Sequence, residues 1–465
     1  MIFDGQDLAR WVTGQWQGSV AASIQGFSHD TRTLKPGECF LALKTEKRDG
    51  HVFLKTAQEA GASAALVEGW DPQCTLPQLK VQDTWEAVRS LGASHRQAFQ
   101  GPIIGVTGSC GKTSTKDLLK FLLGEKQTHA TYENNNNILG VPLTLLGLDP
   151  KEHKFGVIEA GINMPHEMDL IAPMIEPDVA VVTLVAPVHI EHLGDEAGVA
   201  HEKAKLAASV REGGLCAFPE SCLRYKAFQS LSGDLHVLTS VASRVNKTSF
   251  SGCTRILFQD VRSKAKKILE VSLGETPKRT FRLPYVSSGM VQNAALAIHV
   301  ASTLGVSDED IQARIGLWKP GAWRGQVYAS NGTYYYADCY NANPMAVLDA
   351  LSVFEDTFSD DTPRLYVLGG MGELGDLAGT WHQEIGGALH LRPQDRMLLH
   401  GACATDTRLG ALKAGNASSQ IDIVEDRSLL AGPVQSFAGA VFLKASKPYK
   451  FWDLIPQDAT LVNLL

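Results

Sequence analysis

The sequence lacks the features that mark secreted, membrane and zinc-binding proteins. Its eight cysteines are dispersed and none forms a CxxC pair, so neither a zinc knuckle nor a dithiol redox motif is indicated. No apolar run approaches about 18 residues, and the first residues show no charged-then-apolar leader. Lysine and arginine form no cluster, and the net charge of −7 argues against a nucleic-acid partner. We therefore expect a cytoplasmic protein without a membrane span.

The length and the order of apolar segments indicate a multidomain α/β protein. At 465 residues the chain exceeds one ordinary core, and about 150 residues per domain predicts three domains. Short apolar runs alternate with helical stretches, which is typical of parallel α/β architecture. We place the domains at residues 1–100, 101–315 and 316–465: an α/β domain, a P-loop-type domain with a mostly parallel sheet, and a Rossmann-like α/β domain. Residues 240–285 predict a β-rich insertion or peripheral sheet.

The segment Gly105–Thr113 has the composition of a phosphate-binding loop. The apolar, β-branched run Pro102–Thr107 predicts a buried strand, and Lys112–Leu123 predicts a helix. A glycine-rich turn between a strand and a helix directs backbone N–H groups and the positive end of the helix dipole toward an anion. Lys112 would neutralise the outer phosphates, and the Thr113 hydroxyl would bind Mg²⁺. The loop therefore predicts binding of a nucleoside triphosphate.

Two polar segments follow in the same domain. Four amides, Asn134–Asn137, precede an apolar turn, and taken alone they are more typical of a solvated loop. Glu159 ends an apolar strand, and ligands of open α/β sheets bind at the carboxyl ends of strands. A glutamate in that position often faces solvent instead. With a phosphate loop upstream, however, it is the expected carboxylate ligand of the metal.

Histidines and lysines occur in pairs farther along the domain. His189 and His192 would share one face of a helix, but without a third ligand nearby a structural role is more common than a zinc site. Lys203 and Lys205 lie two positions apart and so point in different directions. Lysines in such a pattern are usually solvated.

Taken together, these segments resemble the Mur ligase family, the ATP-dependent amide-bond ligases of peptidoglycan precursor synthesis, which are related to folylpolyglutamate synthase. The resemblance rests on order and spacing across four segments: Thr107–Thr113, Asn136–Pro142, Glu159–Asn163 and His189–Lys203. It extends over nearly the whole chain. Ser28–Arg32 resembles the uridine-nucleotide site of the family.

The third domain adds signatures that narrow the resemblance. They are Arg324, Asp338–Pro344, Val367–Gly375 and His382. This set is most similar to members that join D-alanyl-D-alanine to UDP-N-acetylmuramoyl-tripeptide, so these two molecules are the expected partners of a monomeric enzyme. A superfamily ligase with a different amine or acyl substrate is the alternative, and a nucleotide-driven switch is a third hypothesis.

The resemblance implies a role for each matched residue. It implies a catalytic set of Lys112, Glu159, His189 and Lys203. It implies contact with ATP by Thr107, Gly108, Ser109, Cys110, Gly111, Lys112, Thr113, Ser114, Asn136, Asn137, Asn293, Arg324 and Asp338. It implies uridine contacts by Ser28, Asp30, Thr31 and Arg32. It implies contacts on the dipeptide side by Tyr340, Asn341, Asn343, Glu373 and His382.

The resemblance also implies two Mg²⁺ ions. Thr113 and Glu159 would hold one, and His189 would hold the other. The family lysine that corresponds to Lys203 is commonly carbamylated by CO₂, which would turn it into an anionic ligand of the second ion. Only a neutral amine reacts with CO₂, so the site must lower the pKa of this lysine.

Three positions depart from the pattern of the most similar members. Gly289–Met290 replaces a usual His-Asn pair, Gly370 stands where an Asp is usual, and Ala445 replaces a Gly before Ser446. None touches the expected phosphate or metal chemistry. They concern the incoming dipeptide or the movement of the third domain.

Overall fold

Three β-sheets follow one another along the chain in the computed structural model. The residues described are 1–21, 23–188, 190–242, 252–263, 268–273, 279–284, 286–462 and 464. The predicted α/β class with three domains is confirmed. The domain boundaries at residues 101 and 316 stay predictions. Among the described residues, no helix combines the length and the apolar character needed to cross a bilayer.

The first sheet has five strands in the order β1-β5-β4-β3-β2. The elements of this region are α1 (Gly5–Trp11), β1 (Gln15–Gln17), β2 (Phe27–Ser28), β3 (Cys39–Leu41), α2 (Leu54–Glu59), β4 (Ala64–Val67), β5 (Gln78–Lys80) and α3 (Thr84–Ala98). β1 pairs antiparallel with β5, and the remaining pairs are parallel. The predicted strands within residues 39–43 and 62–67 are confirmed as β3 and β4.

The second sheet has nine strands in the order β14-β13-β12-β11-β10-β9-β6-β8-β7. The elements of this region are β6 (Ile103–Thr107), α4 (Lys112–Leu123), β7 (Thr128–Ala130), α5 (Gly140–Leu146), β8 (Phe155–Glu159), α6 (Glu167–Ile175), β9 (Val179–Val182), α7 (Ile190–Leu193), α8 (Glu196–Ala208), β10 (Leu215–Pro219), α9 (Lys226–Gln229), β11 (Asp234–Ser240), β12 (Cys253–Ser263), β13 (Ile268–Leu273), β14 (Arg279–Leu283), α10 (Ser288–Thr303) and α11 (Asp308–Ile315). In this spatial order the seven strands from β12 to β7, which include β6, pair in parallel. β13 pairs antiparallel with β12, and β14 pairs antiparallel with β13 at the edge of the sheet.

The β-rich segment of residues 240–285 belongs to this second sheet. β12 pairs parallel with β11, so the segment continues the central sheet as its edge and does not form a separate one. The composition of this segment predicts strands, but it carries no information on the register that joins β12 to β11. The parts of the segment at residues 243–251, 264–267, 274–278 and 285 lie outside the described residues.

Burial explains why the middle strands form as predicted. β6 and β9 are buried along their whole lengths, as expected for parallel strands covered by helices on both faces. α4 buries Leu118, Leu119 and Leu122 in a core shared with Ala294 and Ala297 of α10. The loop between β6 and α4 is therefore held by two packed elements, and α10 packs against α4.

The third sheet has seven strands in the order β19-β18-β17-β20-β16-β15-β21. The elements are β15 (Gln326–Ser330), β16 (Thr333–Ala337), α12 (Pro344–Thr357), β17 (Arg364–Gly369), α13 (Ala378–Gly387), β18 (Arg396–His400), α14 (Ala404–Lys413), β19 (Ile421–Ile423), α15 (Ala431–Ser436), β20 (Ala440–Lys444) and β21 (Thr460–Val462). In this spatial order the five strands from β19 to β16 pair in parallel. β15 pairs antiparallel with both β16 and β21. Strand ends at Gly369 and Lys444 therefore meet at one edge.

Helix α3 joins the first region to the second. Gly92 of α3 lies so close to α5 that an added Cβ would stand 2.7 Å from the Cα of Pro142. Farther along, the buried Arg96 guanidinium donates to the Ile175 carbonyl and to the Asp178 carboxylate, both at 2.8 Å. A glycine contact and a buried arginine thus fix the first region against the helices of the second.

Candidate active site

The phosphate loop is closed by contacts that require glycine. Gly108 has φ +148° and Gly111 has φ +80°, conformations that side-chain-bearing residues rarely adopt. A Cβ at Gly108 would lie 1.9 Å from Thr183 Oγ1, and a Cβ at Gly111 would lie 2.3 Å from Asn293 Nδ2. Gly111 also precedes the first turn of α4. The backbone N–H groups at the start of α4 are thereby directed into the loop.

Lys112 lies inside this loop. Its Nζ donates to the Gly108 carbonyl oxygen at 2.8 Å. Burial lowers the pKa of Lys112, and the nearby Glu159 carboxylate opposes that shift. The lysine therefore stands where the outer phosphates of a nucleotide would lie, next to a carboxylate of opposite charge.

Glu159 is buried with one oxygen bound and the other not. Its Oε1 accepts from Asn136 Nδ2 at 2.7 Å and from Thr113 Oγ1 at 3.2 Å. Its Oε2 is buried and has no hydrogen-bond partner among the described residues. A buried carboxylate oxygen without a donor is unfavourable unless a cation neutralises it. A carboxylate and a hydroxyl are ligands suited to Mg²⁺, so this donor set fits the implied ion.

The two lysines of α8 point in different directions, as their spacing predicts, but Lys203 is buried, whereas the pattern alone predicts a solvated side chain. Lys203 is 1% exposed, and Lys112 and Glu202 lie near enough to act on the pKa of its amine. Burial places the pKa of Lys203 well below its usual value, and the charge on Lys112 lowers it further. Lys205 instead pairs with Asp169 at 2.8 Å and with Glu202 at 2.6 Å. Lys203 is thus a buried amine, whereas Lys205 belongs to a structural ion pair.

His189 lies outside the described residues, so its predicted part in metal binding stays a prediction. The residues that follow it form the short helix α7, which includes Glu191 and His192. The backbone of Glu191 approaches Gly375 of the third domain, since a Cβ on that glycine would lie 3.5 Å from the Glu191 Cα. The α7 segment is therefore near the interface between the second and third domains.

The two predicted amides have different roles: Asn136 binds the Glu159 carboxylate, and Asn137 supports the backbone. Asn136 binds Glu159 directly, and a Cβ at Gly161 would lie 2.7 Å from its Oδ1. Asn137 Oδ1 accepts from the backbone N–H groups of Leu139 and Gly140, which holds the turn that leads into α5.

Asn293 is buried behind the loop, against Gly111. The Ser109 Oγ donates to the Ala186 carbonyl and accepts from the Ala186 N–H, both at 2.9 Å. The buried Thr107 hydroxyl donates to the Ala160 carbonyl at 2.8 Å. These three side chains therefore brace the nucleotide loop from its inner side.

The remaining loop residues present mainly their backbone. The carbonyl of Cys110 accepts from the Thr183 hydroxyl, which fixes the tip of the loop. Ser114 lies in the first turn of α4, half-buried and one residue beyond Thr113. Sequence reasoning missed Thr183, although its place just after the buried strand β9 was a usable signal.

Residues of the third domain face this loop. Arg324 and Glu373 lie near enough to Lys112 to act on its pKa, the first lowering it and the second raising it. The guanidinium of Arg324 stacks over the Tyr340 ring, with 4.1 Å between Cζ and the ring centroid. Asp338 pairs with Lys444 at 2.9 Å.

Lys444 is a site residue that sequence reasoning missed. It is 2% exposed and donates both to Asp338 Oδ2 and, at 3.0 Å, to the Asn341 carbonyl. It ends β20, whose other residues are apolar and buried. A lysine at the carboxyl end of such a strand was the available signal, by the argument that singled out Glu159.

Residues predicted on the dipeptide side have defined structural partners. Asn343 caps α12 by accepting from the Ala346 N–H at 2.9 Å, and Asn341 Oδ1 accepts from the Ala342 N–H. His382 is buried, with Nε2 accepting from the Met371 N–H and Nδ1 bonded to the Ala378 carbonyl. Both ring nitrogens are thus used internally, so His382 reaches a ligand only through the loop that it holds.

The predicted uridine segment lies at the surface of the first region. The half-buried Asp30 carboxylate accepts from Nε and Nη2 of Arg32, whose side chain is 86% exposed. This guanidinium lowers the pKa of Asp30 well below its usual range. The Ser28 hydroxyl donates to the Asp30 carbonyl at 3.1 Å, and Thr31, the residue after Asp30, is half-buried. The signature therefore forms a self-paired turn.

Comparisons with known proteins agree with this arrangement. A family model described as the Mur ligase middle domain matches residues 106–301, and one described as the Mur ligase, glutamate ligase domain matches residues 323–436. The chain is 30% identical to a UDP-N-acetylmuramoyl-tripeptide–D-alanyl-D-alanine ligase of Bacillus subtilis, covering 97% of each protein. It is 32% identical to the ligase of the same name from Synechocystis, over 88% of this chain and 85% of that one.

A solved structure extends the agreement to three dimensions. A crystal structure of MurF from Acinetobacter baumannii has a TM-score of 0.83 and 26% identity, covering 98% of both chains. The full-length relatives, the two domain matches and the shared fold lead to one conclusion: this chain belongs to the Mur ligase family.

Proposed function

We propose that this protein joins D-alanyl-D-alanine to UDP-N-acetylmuramoyl-tripeptide at the expense of ATP, in peptidoglycan precursor synthesis. Relatives of that name cover nearly the whole chain. The observation that carries the proposal is the buried Glu159 Oε2, which has no partner among the described residues and belongs to a site shared by Lys112 and Lys203. A binding module without group transfer would not need a second buried amine there.

The reaction needs activation because a carboxylate and an amine do not condense in water. A carboxylate oxygen of the tripeptide attacks the γ-phosphorus of ATP, and the bond to the β-phosphate oxygen breaks to give an acyl phosphate and ADP. The amine of the dipeptide then attacks the acyl carbon. Phosphate leaves with the former carboxylate oxygen, and the nitrogen loses a proton. The first step brings anions together, so charge neutralisation and positioning dominate the catalysis.

The chain supplies cations and ligands for this step. Lys112 neutralises the outer phosphates, and the N–H groups at the start of α4 bind phosphate oxygens. Thr113 and Glu159 would hold one Mg²⁺, and His189 with a modified Lys203 would hold a second. When bound, Mg²⁺ neutralises phosphate oxygens. Asn136 binds Glu159 Oε1, which leaves Oε2 available as a ligand for the ion.

We infer that Lys203 reacts with CO₂. Its burial and the neighbouring Lys112 charge favour the neutral amine, which is the form that attacks CO₂. The nitrogen forms a bond to carbon and loses a proton, leaving an anionic carbamate. The carbamate would then be the anion that balances the cations of the loop.

Closure of the third domain completes the site. Arg324 and Asp338 contact the nucleotide, while Tyr340, Glu373 and the loop held by His382 lie on the dipeptide side. A closed domain also keeps water from the acyl phosphate, whose hydrolysis would waste ATP. We propose that the enzyme acts as a monomer. We expect the reaction to take place in the cytoplasm, where ATP is available.

Phosphate release from Mg-ATP tests the proposal. We expect release that depends on both UDP-N-acetylmuramoyl-tripeptide and D-alanyl-D-alanine, with a product of pentapeptide mass. Lys112→Met should abolish release, whereas Lys120→Met, a half-buried lysine on the same helix, should leave it intact. Release with a different amine only would favour the alternative ligase and direct attention to Gly370. No release with any amine would contradict the proposal.

A further inference from the structure

The departure at Gly289 coincides with a contact between two domains. Gly289 is the second residue of α10, and its N–H points at the carboxylate of Asp349 on α12. The nitrogen lies 3.2 Å from Oδ1 and 3.1 Å from Oδ2. A Cβ on Gly289 would stand 2.7 Å from Oδ2. The absence of a side chain is therefore what allows the carboxylate to approach this closely.

The contact satisfies a donor that the helix itself leaves unpaired. The first N–H groups of an α-helix have no partner within it. Ser287 caps α10 by accepting from the Met290 N–H at 3.2 Å, and Asp349 accepts from the Gly289 N–H. A carboxylate also interacts favourably with the positive end of a 16-residue helix. The third domain thus contributes one of the caps of a second-domain helix.

The same end of α10 contacts the phosphate loop. Gln292 Nε2 donates to the Thr183 carbonyl at 2.9 Å, and the Thr183 hydroxyl donates to the Cys110 carbonyl. Asn293, one residue later, lies against Gly111. On the other side, α12 begins directly after the segment that carries Asp338 and Tyr340. The first turns of α10 therefore lie between the third domain and the loop.

We propose that Asp349 is a positioning residue that latches the third domain over the ATP site through the N-terminus of α10. Opening of that domain would return the Gly289 N–H and the carboxylate to water, so the contact favours the closed arrangement. The inference rests on the proposed ligase function for its kinetic consequence. For a half-exposed charge–dipole contact we expect a change in closure of about three- to tenfold.

The test compares Asp349→Ala and Asp349→Asn with Asp422→Asn, an exposed carboxylate on β19 of the same domain. We expect Asp349→Ala to raise the KM for ATP about three- to tenfold with kcat within about twofold, and the Asn variant to fall in between. With a non-hydrolysable ATP analogue, X-ray scattering should show less compaction for Asp349→Ala than for wild type. Asp422→Asn should match wild type in both measurements.

A double-mutant cycle removes the ambiguity of a folding defect. Gly289→Ala should raise the KM for ATP because its methyl group displaces the carboxylate, and it should add nothing in the Asp349→Ala background. The latch would be overturned if the two substitutions multiplied their effects on the KM for ATP in the double variant. It would also be overturned if Asp349→Ala left either the KM for ATP or the compaction unchanged. Wild-type protein that fails to ligate would instead contradict the proposed function, so the two failures are distinguishable.

Discussion

The phosphate end and the uridine end of this site are built on opposite principles. Glu159 and Lys203 are each 1% exposed; the Glu159 Oε2 atom has no hydrogen-bond partner among the described residues, and burial holds the pKa of Lys203 well below its usual value. At the other end, Arg32 is 86% exposed and already paired with Asp30. The phosphate end thus holds a buried carboxylate that a cation would neutralise, whereas the uridine end holds a charged pair exposed to water. We therefore expect substitutions at the phosphate end to affect catalysis more strongly than substitutions at the uridine end.

The largest effect should come from the buried amine. We expect Lys203→Ala to slow phosphate release by about 100-fold or more, because the site loses the anion that balances its cations. A short-chain carboxylate should restore part of the rate by occupying the space of the carbamate. Lys205→Ala on the same helix should change the rate only a few-fold. Wild-type turnover by Lys203→Ala would place the chemistry elsewhere.

Glu159→Gln is the next most severe change. The substitution keeps the shape and the acceptor for Asn136 but removes the charge that a cation would neutralise, so we expect about a 100-fold lower kcat and a higher Mg²⁺ requirement. Without Mg²⁺, thermal stability should be unchanged or higher, because a buried unpaired charge has been removed. A loss of stability with normal turnover would reverse the interpretation of this carboxylate.

The two neighbouring amides sharpen the comparison within the phosphate end. Asn136→Ala should lower kcat about tenfold by freeing Glu159, with little change in melting temperature. Asn137→Ala should instead destabilise the protein by about 1 kcal/mol through loss of its turn hydrogen bonds, with nearly normal kcat. Kinetics and thermal melts of both variants would check this prediction. Equal effects of the two substitutions on kcat and on the melting temperature would contradict it.

The smallest effect belongs to the uridine end. Arg32→Ala should raise the KM for the UDP-linked substrate about two- to fivefold and leave kcat unchanged, since exposed charged contacts contribute little. Steady-state kinetics with the UDP substrate varied at saturating ATP would measure this. A fall in kcat comparable with that of Lys203→Ala would break the comparison, and an unchanged KM would remove Arg32 from the uridine site.

The sequence was a good guide where one segment carries the information. The strand and helix around the phosphate loop were predicted because apolar periodicity and glycine positions are local signals. Helical geometry also predicts that Lys203 and Lys205 point in different directions, but it does not predict that Lys203 is buried. Motif spacing also indicated the family correctly, because several short signals recurred in one order.

What the sequence could not show depends on contacts between distant segments. The pairing of Asp338 with Lys444 joins two strand ends that are far apart in the chain. The register that makes β12 an edge of the central sheet is likewise non-local. Gly289 departs from the family pattern in sequence, but its structural role depends on Asp349 of another domain. His382 shows the converse, since a residue singled out by motif has both ring nitrogens bonded to backbone.

The central claim is that the tripeptide carboxylate is activated on phosphate at the buried end of the site. The most direct measurement uses UDP-N-acetylmuramoyl-tripeptide with ¹⁸O in its terminal carboxylate, followed by mass analysis of the phosphate released during ligation. The account predicts that each phosphate carries one ¹⁸O atom from the carboxylate. Unlabelled phosphate accompanied by ligated product would contradict it.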